Sequence, residues 1–254
     1  MRWLSRWGTL AATHLLPADC FVCSRRLVRH HLGACPSCWS ALVPLGGSCC
    51  VRCAIPLGPA GSPRGLCLRC AIRPFPLDEA MAAVAYRGVA ARFLLRAKQG
   101  ARPELLEPLA HQLLVAASDS GILARADVIV PVPSSFLSRV RRGFSPGHEI
   151  ARTLARASSL SWRPHGLRRR GSVPAFKALG ASERWKRAEG AIGARGRFTD
   201  ADVLLVDDVM TTGATLAACA RALRRAGAAT VRAAVWARTP VPEERFDPGP
   251  EGRL

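Results

Sequence analysis

Nine of the ten cysteines fall between Cys20 and Cys70, and eight of them form four C-x-x-C pairs: Cys20/Cys23, Cys35/Cys38, Cys50/Cys53 and Cys67/Cys70. Two residues between cysteines let both sulfurs of a tight turn face one ion, and two such knuckles supply four thiolates with the tetrahedral geometry that suits Zn²⁺. The four pairs therefore predict two structural zinc sites, in a segment too small to hold itself together by burial, so that the metal supplies its folding free energy. Sequential pairing, first knuckle with second and third with fourth, is the simplest arrangement. Cys49 adjoins Cys50 and is an alternative ligand at that position. Disulfides and a redox C-x-x-C are the rival readings. The first is disfavoured in a chain with no evident export signal, the second because four such motifs in series would be odd. Cys219 lies in a helical pattern and reads as a small buried side chain.

The N-terminal "MRWLSRWGTLAATHLLPADC" reads as an amphipathic helix, because its apolar part is short and interrupted by Thr13 and His14. No run approaches the ~20 apolar residues that span a bilayer, and the expected location is cytoplasmic. Past the cysteines the pattern predicts helices over "YRGVAARFLLRAKQG", from Pro103 onward, and over "SPGHEIARTLARAS" with Ser145 as its cap. "ADVIVPVP" and Val203–Val206 read as buried strands, and strand, helix Leu216–Arg225 and strand "TVRAAVWA" form a parallel βαβ unit with Gly227 as the helix stop. The expected division is an N-terminal helix (1–17), a double zinc ribbon (18–72), an α/β parallel-sheet domain (80–240) and a disordered tail (241–254).

Within that βαβ unit lies "VLLVDDVMTTGATL". A strand ending in adjacent carboxylates, then a Thr/Gly loop, then a helix combines a phosphate site with a sugar site. The amides of Met210, Thr211, Thr212, Gly213, Ala214 and Thr215 can converge on a phosphate at the helix N-terminus, with threonine hydroxyls adding bonds. Asp207 and Asp208 can accept hydrogen bonds from ribose hydroxyls and offer oxygen ligands for Mg²⁺.

This segment resembles the phosphoribosyl pyrophosphate (PRPP) signature of type I phosphoribosyltransferases, and that resemblance implies PRPP with Mg²⁺. Together with "DVIVPVPSSFLSRVRRGF", "LRRRGSVPAFKALGASERWKRAEGAIGA" and the knuckles, the chain over residues 10–238 is similar to the ComF (competence protein F) family. Members of that family have a double zinc ribbon followed by a type I phosphoribosyltransferase-like domain, and are associated with handling single-stranded DNA in natural transformation or with DNA utilisation. The resemblance implies a pyrophosphate-side loop at Pro131, Val132, Pro133, Ser134 and Ser135, an R-x-x-R-G element at Arg139, Arg142 and Gly143, and a mobile hood over Arg168–Arg187. The chain departs from the family where Gly143-Phe144-Ser145-Pro146 replaces Gly-Phe-Asn-Gln, at a glutamine usual near Phe176, and where Arg184-Trp185-Lys186-Arg187 replaces Arg-x-x-Asn. The phosphate loop is intact, which makes phosphate binding a firmer expectation than turnover.

A formal net charge of +19 fits a polyanionic partner, although only Lys98, Lys177 and Lys186 among the 37 basic residues are lysines, a bias that coding composition also produces. Three functions stay open. One is a DNA-handling protein in which Arg139, Arg142, Arg168 and Arg184 grip phosphates while Phe144, Phe176 and Trp185 stack on bases. The second is an active phosphoribosyltransferase of unknown acceptor. The third is a ribbon scaffold that docks a DNA-uptake protein such as a helicase.

Overall fold

The structure is a computed structural model that describes residues 19–27, 33–58, 62, 64–72, 74–99, 102–170 and 190–240. The expected N-terminal helix, the tail from 241, and Phe176, Arg184 and Trp185 lie outside the described residues.

The strands in chain order are β1 (Glu79–Ala85), β2 (Val128–Pro131), β3 (Ser161–Trp162), β4 (Leu167–Arg169), β5 (Ile192–Ala194), β6 (Asp202–Met210) and β7 (Thr230–Arg238). Five of them form one sheet in the order β1-β7-β6-β2-β3, every pairing parallel. β4 and β5 form a separate antiparallel pair. The central strands are buried on both faces, as their unbroken apolar runs require. Leu204, Val206, Ala234 and Trp236 face one layer, and Val203, Leu205, Val231, Ala233 and Val235 face the other.

The helices are α1 (Pro36–Ser40), α2 (Leu68–Ile72), α3 (Gly88–Gln99), α4 (Glu107–Asp119), α5 (Phe136–Arg142), α6 (Pro146–Ala157) and α7 (Ala214–Arg225). Helices α3, α4 and α6 cover the Leu204 face through Phe93, Leu109, Leu113, Ile150 and Leu154; α7 covers the other through Leu216, Ala217, Ala220 and Leu223. The helix expected from Pro103 opens with a 3-10 turn, Pro103–Leu106, before α4 begins. Ser145 does sit at the N-terminus of α6, but its hydroxyl makes no capping bond.

The two ribbons straddle the edge of this sheet. Cys20, Cys35 and Cys38 pack in the core layer of α3, α4 and α6, whereas Cys50, Cys53 and Cys70 pack in the layer of α7. The chain between them crosses along β1: Leu45 N–H donates to the Ala83 carbonyl at 2.9 Å and Ala85 N–H to the Val43 carbonyl at 2.8 Å. The exposed edge of β1 is thus occupied by the protein's own backbone.

Candidate ribose-phosphate crevice and zinc centres

β2 leads outward to β3 on one side, and β6 leads outward to β7 on the other. The chain direction of the sheet therefore switches between β2 and β6, and a crevice opens beyond their carboxyl ends, the place where open parallel sheets bind ligands. β6 is longer than the sequence suggested. It does not stop at Val206; Asp207, Val209 and Met210 continue the ladder to Val235, Ala237 and Arg238 of β7, while β2 ends at Pro131 opposite Val206. The aspartate pair sits on a strand that has lost one neighbour but kept the other, which fixes its backbone and leaves one side open.

The crevice holds about 160 Å³ and is lined by three cations, Lys98, Arg142 and Arg169, and by Asp207 and Asp208. Asp208 is 9% exposed, and the Lys98 ammonium from α3 sits against its Oδ2. Burial opposes a charge on Asp208, but the Lys98 ammonium and a hydrogen bond with Asp207 outweigh it and hold its carboxyl below the usual range. Lys98 is correspondingly held above its ordinary value: burial works against its charge and Asp208 outweighs it. Asp207 is the opposite case. Burial and the neighbouring Asp208 charge push its carboxyl well above the usual range. Its Oδ1 accepts the Asp208 N–H at 2.9 Å. A Cβ on Gly147 would fall 2.6 Å from that same oxygen, so the start of α6 approaches Asp207 as closely as only glycine allows. Arg169 donates through Nε to the Pro133 carbonyl at 3.0 Å, tying β4 to the loop after β2.

At the start of α7, Gly213 has φ +79°, and a Cβ there would lie 2.6 Å from the Phe75 ring and 2.7 Å from Met210 Cε. Both conformation and space demand glycine. The helix has no acidic residue in its first turn and Gly213 supplies no side-chain cap; Ala214 N–H turns to the Thr212 hydroxyl at 3.4 Å, a long bond that an anion can displace, and the dipole of the helix start favours that anion.

The expected site residues distribute unevenly. Val132, Pro133, Ser134, Arg142, Asp207, Asp208 and Thr215 line the crevice. Pro131 closes β2. Arg139 lines an adjoining cavity of about 280 Å³ that shares Val132–Ser134 with the crevice and also contains Phe144, His148 and His165. Arg168 is exposed on β4, opposite Gly193. Phe144, proposed as a stacking platform, is 8% exposed and belongs to the core, so little of its ring is free to take a base. Met210 is also buried, and its carbonyl already accepts Thr239 N–H and Arg238. Lys98 and Gly147 went unforeseen, and Arg169 was expected only as part of the Arg168–Arg187 hood. Lys98 had one signal, being a lysine in a chain that almost always uses arginine.

The thiols group as two sets, Cys20/Cys23/Cys35/Cys38 and Cys50/Cys53/Cys67/Cys70, each with all Sγ atoms within 4.8 Å of one another. Pairing is sequential, and Cys50 rather than Cys49 is the ligand-set member. Burial works against a thiolate at Cys20, yet the backbone N–H groups of Cys35, Cys23 and Val22 hold it at about 6; Cys50 is held at about 7 in the same way by Cys67, Arg52 and Cys53. In each set burial, together with neighbouring thiols, pushes others up, as at Cys38 and Cys70. Four sulfurs at this separation with N–H groups aimed at them fit Zn²⁺.

A double zinc ribbon domain matches residues 11–71, and a phosphoribosyl transferase domain matches residues 127–248. The protein is thus of the class that joins a double zinc ribbon to a phosphoribosyltransferase fold. The DNA utilization protein YhgH of Salmonella typhi is 30% identical over 224 residues, which cover 87% of this chain and 96% of that one. YhgH of Escherichia coli K12 is 28% identical over 225 residues, again 87% and 96% of the two chains. The chain belongs to this ComF-like family. Among solved structures, the purine phosphoribosyltransferase of Pyrococcus horikoshii overlaps 53% of this chain and 77% of its own at 19% identity, with a TM-score of 0.33.

Proposed function

We propose that the crevice between β2 and β6 binds the ribose and phosphates of PRPP or a related phosphorylated ribose, and that the protein uses this site in handling single-stranded DNA. The observation that carries the first half is the pairing of two unlike carboxylates with a helix start that has no acidic residue in its first turn, at the switch point of the sheet. The leading amides of α7 take the terminal phosphate, Asp207 and Asp208 take ribose hydroxyls, and Arg142 and Arg169 face the pyrophosphate. Mg²⁺ fits this oxygen-rich donor set, with Asp207 the better placed carboxyl because Asp208 already holds Lys98; a bound ion would favour the ionised form of Asp207 against its burial and would supply positive charge for the pyrophosphate. The second half rests on the net charge of +19 and on relatives named for DNA utilisation.

Calorimetric titration with PRPP and Mg²⁺ tests the site. The wild type binds, Asp207→Asn binds at least about tenfold more weakly, and equal affinity in both refutes the assignment. Titration with single-stranded DNA across salt concentration tests the second half. Affinity falls steeply with salt if phosphate contacts dominate, and absence of binding at low salt removes the DNA role.

The adjoining cavity supports a second reading, phosphoribosyl transfer to an acceptor held beside the ribose. Chemistry would then consist of positioning and of stabilising the departing pyrophosphate. Pyrophosphate release on incubation with a panel of bases and amines is the readout, and none with any of them counts against transfer.

A further inference from the structure

Arg238, the last residue of β7, is 3% exposed. Its Nε donates to the Cys53 carbonyl at 2.8 Å, and its Nη1 donates to the carbonyls of Met210 at 3.0 Å, Thr239 at 2.7 Å and Thr211. One guanidinium therefore holds a knuckle of the second zinc set with one edge and the entry of the phosphate loop with the other. A second link runs beside it. Arg52, inside the same knuckle, donates through Nη1 to the Phe75 carbonyl at 3.1 Å, and the Phe75 ring packs on Gly213.

We infer that Arg238 is a positioning residue through which the second zinc set, and not the first, fixes the geometry of the ribose-phosphate loop.

The physical argument has two parts. A buried guanidinium is costly unless its charge and its donors are both met. The acceptors named for it are all carbonyls, which meet the donors without supplying charge. Zn²⁺ on four thiolates has a net charge of minus two, and Arg238 is bonded to the backbone of one of those ligands. The metal set is thus its natural counter-charge. Without it, the knuckle carbonyl loses its fixed position and the guanidinium gains a reason to leave. The Thr211 carbonyl then loses the Arg238 donor and the Met210 carbonyl is left with Thr239 N–H, so the peptide planes leading into Thr212–Thr215 are held less strictly. The first set has no such route among the described contacts; it meets the body through rings, Phe21 on Phe93 at 4.7 Å and Trp39 on Phe93 at 4.8 Å.

The inference deepens the PRPP-site reading and rests on it for its ligand. Linkage makes it reciprocal: whatever the metal does for the ligand, the ligand does for the metal. The test is zinc transfer to a chromophoric chelator, with and without saturating PRPP and Mg²⁺. In the wild type, PRPP protects one of the two zincs by about fivefold or more and leaves the other unchanged. Arg238→Met retains both zincs, loses the protection and binds PRPP at least about tenfold more weakly, while Arg238→Lys, which keeps the charge but not the fork, falls between. Phe21→Ala lowers stability and leaves PRPP affinity within about twofold of wild type, which separates positioning from general destabilisation. Equal protection of both zincs, or wild-type PRPP affinity in folded Arg238→Met, overturns the inference. Hydrogen exchange of the Thr211–Thr215 amides decides it independently of ligand. Exchange there quickens in Arg238→Met and not in Phe21→Ala, and unchanged exchange sinks the coupling. A wild type that fails to bind PRPP but shows this exchange pattern refutes the ligand reading and leaves the coupling standing.

Discussion

The two zinc ribbons share a ligand set and differ in what they hold. The first is embedded by apolar packing: Phe21 and Trp39 close on Phe93, which in turn meets Trp236 of β7 at 6.1 Å. The second packs in the α7 layer as well, and adds polar bonds to backbone through Arg52 and Arg238. Aromatic packing is tolerant in position and strong in total, whereas carbonyl–guanidinium bonds are weaker in sum and strict in geometry. A ribbon of the first kind braces a core. A ribbon of the second kind can dictate where a loop lies.

The largest expected effect is common to both. Metal analysis gives two zincs per chain, and Cys35→Ser or Cys67→Ser leaves one each; removal of both unfolds the knuckles, with apparent metal-linked stability of about 10 kcal/mol per site. A single zinc in the wild type would break the comparison at its root. Phe93→Ala comes next, at about 3–5 kcal/mol in denaturant unfolding, because its ring lies between three aromatic neighbours. If that variant also cuts PRPP affinity tenfold, both ribbons feed the crevice and the contrast fails.

Lys98→Met costs about 3 kcal/mol, since it strands the buried Asp208 carboxylate, and adding Asp208→Asn recovers most of the loss. The sign with pH follows from the directions of the shifts. Asp208 is depressed, so its contribution is present above the ordinary carboxylate range and is lost as pH falls through its lowered value. Lys98 is raised, so its contribution is present below the ordinary lysine range and is lost as pH climbs past its elevated value. The gap between wild type and Lys98→Met, followed by chemical denaturation, is therefore widest near neutrality and narrows in acid. Gly213→Ala is the smallest, at about 1–3 kcal/mol from the positive φ, with a larger loss in PRPP affinity because Phe75 must move. Equal PRPP affinity there would detach the second ribbon from the loop.

Legibility in the sequence followed locality. The knuckles and the strand, loop and helix around Asp207–Thr215 were readable because short-range spacing specifies them. β1 was not, since "EAMAAVA" has little β-branched character and becomes a strand only by lying beside β7. The extent of β6 was hidden for the same reason, because β7 supplies the ladder past Val206. Lys98 and Asp208 are far apart in sequence and meet only once α3 packs on the sheet. Arg238 lay one residue past the strand read as "TVRAAVWA", and nothing local marks a side chain whose acceptors lie at Cys53 and Met210. Phe144 misled because an aromatic between arginines has the same pattern whether it faces a base or the core.

The backbone segment at 43–45 that runs along β1 has a consequence for assembly. At the opposite margin β3 offers only two residues. Among the described residues neither border of this sheet presents a long open ladder to a second molecule, which disfavours fibre-like growth by continuing the five strands from copy to copy.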